Sequence, residues 1–233
     1  QIGIVTDIWL RHPARQIEED ILLAQDQDEK NFHIYLHPLY HKSYSPHILH
    51  CMEIENAYPE IQPEDFDLIA EPLDYHGINA YSRIVVSTDP KLRSEGMRER
   101  DPGAFSHPEY GIEYYPPVIY DAIQIFRSKY HASIPIYVTE NGVGCESSVL
   151  ADGQIDDPVR IRFMNGYLGE LHRAIQDGAD VRGYYHWSLI DNFEWSAGYS
   201  VRYGMVNVDF SNQQRRYKSS AYRYQEIIRE NGL

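Results

Sequence analysis

"IYVTENG", residues Ile136 to Gly142, reads as a short apolar strand ending on a carboxylate, an amide and a glycine. Asn141-Gly142 taken alone is ordinary turn chemistry, so the fold turns on what Glu140 does at a strand tip. The apolar run itself is Ile134 to Thr139, with Glu140 just after it, and three others have the same form: Ile2 to Thr6, Leu73 to Asn79 and Val181 to Trp187. Helical patterns lie between and beyond them. Residues 158–176 place Ile161, Met164, Leu168, Leu171 and Ile175 three or four positions apart. Asp157-Pro158 opens that helix as a cap and first-turn proline, and Gly178 closes it. Residues 117–128 carry Val118, Ala122, Ile125 and Phe126 on one face, residues 14–30 are charged and amphipathic, and a last helix covers Ser219 to Glu230.

Strand alternating with helix predicts parallel strands in an α/β fold, in a single domain over residues 1–233. The stretches 38–72 and 82–116, rich in Pro, Tyr, His and charge, read as loops with short helices. "NFHIYLH" (Asn31 to His37) is a weak fifth strand signal that reads better as helix and loop. A closed eight-stranded barrel fits in a little over ~200 residues. Four strand signals make half of one, and half a barrel leaves two sheet edges unpaired.

Composition narrows the partners. With 35 acidic against 21 Lys and Arg residues, nucleic acid is excluded as a natural ligand, because phosphate binding needs a basic surface. The 20 tyrosines offer flat apolar faces with a hydroxyl, which suit polar ring-shaped ligands. No run approaches the ~18 apolar residues of a membrane helix, and no signal peptide is visible, which leaves the cellular location open. Gln1 stands where a natural start has Met, so a preceding segment is expected. Cys51 and Cys145 could pair but form no disulfide framework. His33, His37, His41, His47 and His50 show no paired spacing with a third ligand, so neither a metal nor a cofactor is expected.

Each strand delivers polar or aromatic residues at its carboxyl end: Asp7 and Trp9, Asn79 and Tyr81, Glu140, then Trp187 and the following "DNFEW" (Asp191 to Trp195). In a βα barrel that end holds the active site. A carboxylate ringed by Tyr and Trp suggests sugar, since aromatic faces stack on a pyranose and carboxylates bond its hydroxyls or attack its anomeric carbon. Singly, each residue has a plainer reading: Trp187 and Tyr81 as packing, Glu194 as a solvated loop charge.

Together the segments "IGIV" (2–5), "HGINAYS" (76–82), "IYVTENG" (136–142), "GYYHWSLIDNFEWSAGYSVRYGMVNVDF" (183–210) and "RRYKSSAYRYQEIIRENG" (215–232) resemble glycoside hydrolase family 1 in that family's order. The likeness covers its second half only, strands five to eight of a (β/α)8 TIM barrel. It implies a retaining β-glycosidase in which Glu140 is the nucleophile and Tyr81 its hydrogen-bond partner. It also implies that Asn79, Trp187, Glu194, Trp195 and Tyr203 bind the sugar, with no metal. The family's acid/base glutamate sits in an N-E-P motif; Asn-Glu-Pro does not occur here, and "AEPLD" (70–74) lacks the Asn and precedes a strand. An amino-terminal half-barrel polypeptide, or self-association, is therefore an expected partner besides a β-glycoside or oligosaccharide substrate. A non-catalytic sugar-binding half-barrel is the rival reading. Glu194 and Trp195 imply an unphosphorylated sugar. Asp7, where the family has Asn, "HPLYHKSYSP" (37–46) and Ile112 depart from its pattern and leave aglycone preference open.

Overall fold

The computed structural model describes residues 1–93 and 111–233; the middle of the stretch 82–116 lies outside the described residues. The chain runs β1 (Gly3–Asp7), β2 (Leu10–Pro13), α1 (Glu18–Asp28), α2 (Ile34–His41), α3 (Pro46–Ile54), α4 (Asp65–Ile69), β3 (Tyr75–Asn79) and β4 (Arg83–Val86). It continues with α5 (Pro117–Gln124), β5 (Ile136–Asn141), β6 (Ser148–Val149), β7 (Ile155–Asp156), α6 (Pro158–Gln176), β8 (Val181–His186), β9 (Val206–Asp209), β10 (Gln214–Tyr217) and α7 (Ser219–Glu230). The central sheet has the order β1-β3-β5-β8 and is parallel throughout. It is half of a (β/α)8 barrel. Among the described residues no helix is long and apolar enough to cross a membrane.

The pleat sorts each strand onto two faces. Ile78 and Val138 turn outward and are fully buried with Val118, Ile119, Ala122 and Ile123 of α5 and Phe163, Tyr167 and Ala174 of α6. Burial of one such aliphatic side chain stabilises the fold by about 1.5–3 kcal/mol. His76 also faces outward, buried between the Thr6 hydroxyl (2.9 Å) and the Tyr40 hydroxyl (3.0 Å), and burial lowers its pKa to about 4, so the ring is neutral at neutral pH. On the concave face the alternation is glycine against tyrosine. A Cβ on Gly3 would overlap the Tyr75 ring, and one on Gly183 the Tyr137 ring. Tyr75 and Tyr137 meet edge to face at 5.4 Å. The two outer strands leave Val5 and Tyr185 exposed, at 46% and 57%.

Two sequence expectations shift, the end of β5 and the role of Asp157, and the helical reading of 31–37 holds. β5 runs on to Asn141, because the Ala80 N–H donates to the Glu140 carbonyl (3.1 Å) and the Trp187 N–H to that of Asn141 (2.9 Å). Glu140 is thus inside the strand's last step, not after it. The segment 31–37 is helical: α1 passes through a π turn at Glu29–His33 into α2, and Phe32 and Leu36, one turn apart, enter the core together. Asp157 makes no cap to its own helix. Its carboxylate instead accepts from the Arg160 Nε (2.8 Å) and from the Ser220 N–H and hydroxyl (2.9 and 2.6 Å). Cys51 and Cys145 are both free thiols.

Arg160 is fully buried. Its guanidinium donates to the carbonyls of Val143, Tyr203 (2.8 Å) and Arg202 (2.9 Å), so one cation from α6 joins the loop after β5 to the loop that carries Tyr203. A buried charge that loses its partner typically costs about 3–5 kcal/mol. Arg160→Ala strands Asp157 and is expected to lower unfolding stability by about that amount, read from the urea midpoint by tryptophan fluorescence; a loss below about 1 kcal/mol would show that the pair does not hold these loops.

Candidate active site

Register brings the strand tips together. Asp7 pairs with Asn79 across β1 and β3, and Asn79 with Glu140 across β3 and β5. The register shifts between Ile78 and Asn79 and again after Val138; such irregularities re-aim side chains at a barrel rim. The Tyr81 hydroxyl donates to Glu140 Oε2 at 2.6 Å. Burial first, then the hydrogen bond and charge of Glu140, raise the Tyr81 phenol far above its ordinary range, so it stays a donor at any physiological pH. The Thr139 hydroxyl donates to Asn79 Oδ1 (2.7 Å), which leaves the Asn79 amide N–H groups for a ligand.

The residues around this pair are clamped from behind. Asn141 is fully buried; its Nδ2 donates to the Ala80 carbonyl (2.7 Å) and its Oδ1 accepts from the Tyr184 hydroxyl (2.8 Å). The Tyr81 carbonyl accepts from the Tyr167 hydroxyl of α6 (2.8 Å), and Trp9 stacks on the Tyr81 ring at 5.8 Å and 13°. Gly142 has no room for a side chain, because a Cβ would overlap the Trp187 carbonyl. Asn141-Gly142 is therefore a structural joint between β5 and β8 rather than a simple turn. Turn propensity at the sequence level does not distinguish the two.

The third wall follows β8. A cis peptide links Trp187 to Ser188, and the Ser188 N–H donates to the Tyr203 carbonyl (3.2 Å). The Trp187 indole donates to Glu194 Oε2 at 3.4 Å, a long bond. Asp191, at the head of the DNFEW loop, is buried against Lys218 Nζ (2.9 Å) and accepts from the N–H groups of Gly204 and Val208 (2.9 and 3.3 Å). This second buried ion pair, unmarked in the sequence reading, anchors the loop to the start of α7. Trp195 stands apart: it is 82% exposed, its carbonyl accepts from the Gly198 N–H (3.1 Å), and its indole has no hydrogen-bond or ring partner among the described residues.

The electrostatics join these parts. Burial raises the Glu194 carboxyl above the ordinary range; the Trp187 hydrogen bond opposes this and the Glu140 charge adds to it. Asp7 is raised by burial against its Trp9 hydrogen bond, and again the Glu140 charge adds. Burial, then the Glu194 charge, pushes the Tyr203 phenol up to about 12. Three carboxyl groups thus face one concave region with two tyrosine hydroxyls and an indole, a set suited to gripping hydroxyl-bearing rings.

The model of glycosyl hydrolase family 1 matches the whole chain, residues 1–233. Among curated relatives, Beta-glucosidase A of Thermotoga maritima is 36% identical over 236 residues, covering 100% of this chain and 51% of that protein. Beta-glucosidase A of Acetivibrio thermocellus is 34% identical over 241 residues, covering 100% and 52%. A solved structure of the family 1 β-glucosidase from Thermotoga maritima superposes with a TM-score of 0.88 at 34% identity, covering 100% of this chain and 51% of that one. The chain spans about half the length of the curated relatives it matches.

Crowded carboxyls leave a signature in stability. A carboxyl raised in the folded chain favours that chain while protonated. The contribution is present at low pH and lost as pH rises through the ordinary carboxylate range to the folded pKa. Glu194→Gln is therefore expected to flatten part of the fall in Tm with rising pH, measured by thermal denaturation of both proteins across that range; identical profiles would place Glu194 in a solvated setting.

Proposed function

The chain belongs to glycosyl hydrolase family 1, and from that premise we propose that it is the carboxyl-terminal half of a retaining β-glycosidase acting on terminal, unphosphorylated β-D-glycosides. The observation that carries this reading is the 2.6 Å bond from Tyr81 to Glu140 Oε2. It holds one carboxylate oxygen and leaves the other to attack. In the first step the free Glu140 oxygen bonds to the anomeric carbon. The glycosidic C–O bond breaks, and the leaving oxygen takes a proton from a second carboxyl. In the second step that carboxyl, now a base, takes a proton from water, which displaces Glu140 and restores the starting configuration.

The surrounding residues take the binding roles. Trp187 supplies the platform under the ring. Glu194 accepts from the hydroxyls at the far end of the sugar and the Trp195 indole N–H donates to them, and Asn79 donates its amide N–H beside the nucleophile. Tyr203 closes the same subsite, held through its carbonyl by Arg160 and Ser188. Trp195, exposed in the free chain, packs on the sugar only when one is present.

The second carboxyl comes from the missing half. Asn-Glu-Pro does not occur in the chain, and strands β1 and β8 are the two edges of the sheet. A polypeptide carrying the amino-terminal half-barrel completes the site, with self-association as the weaker substitute. The missing acid/base favours a purely sugar-binding role for the chain alone, but binding alone gives no reason for a tyrosine hydroxyl held on Glu140.

The 233-residue chain alone is expected to show negligible turnover of an aryl β-glucoside. Addition of a polypeptide with strands one to four and an N-E-P glutamate is expected to restore it, with retention of configuration by NMR. Hydrolysis by the lone chain that persists in Glu140→Gln would overturn the assignment. In the reconstituted enzyme Glu194→Ala is expected to lower kcat/KM by roughly one to two powers of ten, from a charged hydrogen bond worth ~1.5–3 kcal/mol; unchanged kinetics would remove Glu194 from the sugar subsite.

A further inference from the structure

A second cluster of chemically active side chains lies on α1 and α3, on elements other than those that carry Glu140. His47 and Cys51 are one turn apart on α3, and Asp26 faces them from α1. One ligand atom from each residue lies within 4.8 Å of the other two. Asp26 Oδ1 is 2.8 Å from His47 Nε2, and His47 Nε2 is 3.6 Å from Cys51 Sγ. In a tetrahedral site with bonds of 2.0–2.3 Å, ligand atoms sit roughly 3–4 Å apart. The three atoms thus need only small rotamer changes to share one ion.

The backbone under the cluster is fixed independently. Ser45 caps α3, accepting from the Ile48 N–H (3.2 Å), and its hydroxyl donates to Glu29 Oε2 (2.7 Å) just past the end of α1. Glu29 is held in turn by Lys129 Nζ at 2.9 Å. The first turn of α3 is therefore pinned to the last turn of α1, and the ligand atoms are brought together before any ion arrives. Preorganisation of this kind is what separates a metal site from a chance surface cluster.

We propose that Asp26, His47 and Cys51 form a binding site for a divalent transition metal of the zinc class, with water in the fourth position. The donor set selects the ion. An imidazole nitrogen and a thiolate disfavour magnesium and calcium, which take oxygen ligands, and suit zinc or cobalt(II). The charges also balance: one carboxylate and one thiolate neutralise a dication. Binding releases the Cys51 proton and displaces Lys30, whose ammonium sits 2.8 Å from the same Asp26 Oδ1. The ion then staples α1 to α3. Histidine spacing in the sequence carries no metal signature; the fold assembles a different set, His47 and Cys51 on one helix with Asp26 on another.

Cobalt(II) titration of the 233-residue chain under reducing conditions tests this. The expected result is one equivalent bound, with a sulfur-to-cobalt charge-transfer band and displacement by zinc. Cys51→Ser is expected to abolish the band and, like His47→Ala, to weaken zinc binding at least tenfold by competition with a chromophoric chelator. Cys145→Ser leaves both unchanged. Lys30→Gln is expected to bind several-fold more tightly, since no ammonium then competes for Asp26. Absence of the band, a band that survives Cys51→Ser, or a Lys30→Gln protein that binds no more tightly would each overturn the assignment.

Discussion

One buried guanidinium organises the rim of this half-barrel. Arg160 lies in the first turn of α6, yet its hydrogen bonds end on the loop after β5 and the loop that carries Tyr203. Asp157 balances its charge and, through Ser220, also holds the start of α7. Such a pair gains little over apolar packing in stability, because two charges have lost their water. Its value is geometric. Carbonyls from two loops converge on five fixed N–H directions, so the strand tip that presents Glu140 and the segment that presents Tyr203 cannot move separately. Asp191 and Lys218 repeat the device for the loop that carries Glu194.

The carboxyls at the rim cost the fold stability. Asp7 and Glu194 are both raised by burial and by the charge of Glu140, so the folded chain opposes their ionisation. A core evolved only to fold would hold fewer carboxyls there. The opposing stabilisation comes from the outer face, where β3 and β5 bury Ile78 and Val138 against α5 and α6, and from hydrogen bonds that saturate Asn141. The polar rim is rigid because its backbone is bonded from below.

The open edges follow from the same topology. A parallel sheet is normally covered on both faces. Here the helices cover the outer face, while the concave face keeps a tyrosine–glycine layer whose outer members, Val5 and Tyr185, remain exposed. Gly3, Gly77 and Gly183 leave space that neighbouring side chains occupy. That layer suits the interior of a closed barrel, and the relatives that this chain half covers are about twice its length.

Much of this was legible in the sequence. The four parallel strands, the long helix at 158–176 and the residues at the strand tips follow from apolar periodicity, turn signals and motif spacing, all of which are local. Glu140, Tyr81, Asn79, Trp187 and Glu194 could be named as candidates because the segments that carry them resemble family 1 motifs. The tertiary structure alone decided what depends on distant partners: that the Asp157 carboxylate serves the Arg160 side chain and Ser220 rather than capping N–H groups of its helix, and that Asn141 is a buried clamp and Gly142 a point of close approach. It alone brought Asp26 beside His47 and Cys51. The physical reason is the same in each case. Helix caps, turns and periodicity are set by residues within a few positions of one another, whereas a buried charge or amide is satisfied by whichever group the fold brings within 3 Å or so, and sequence spacing does not encode that group.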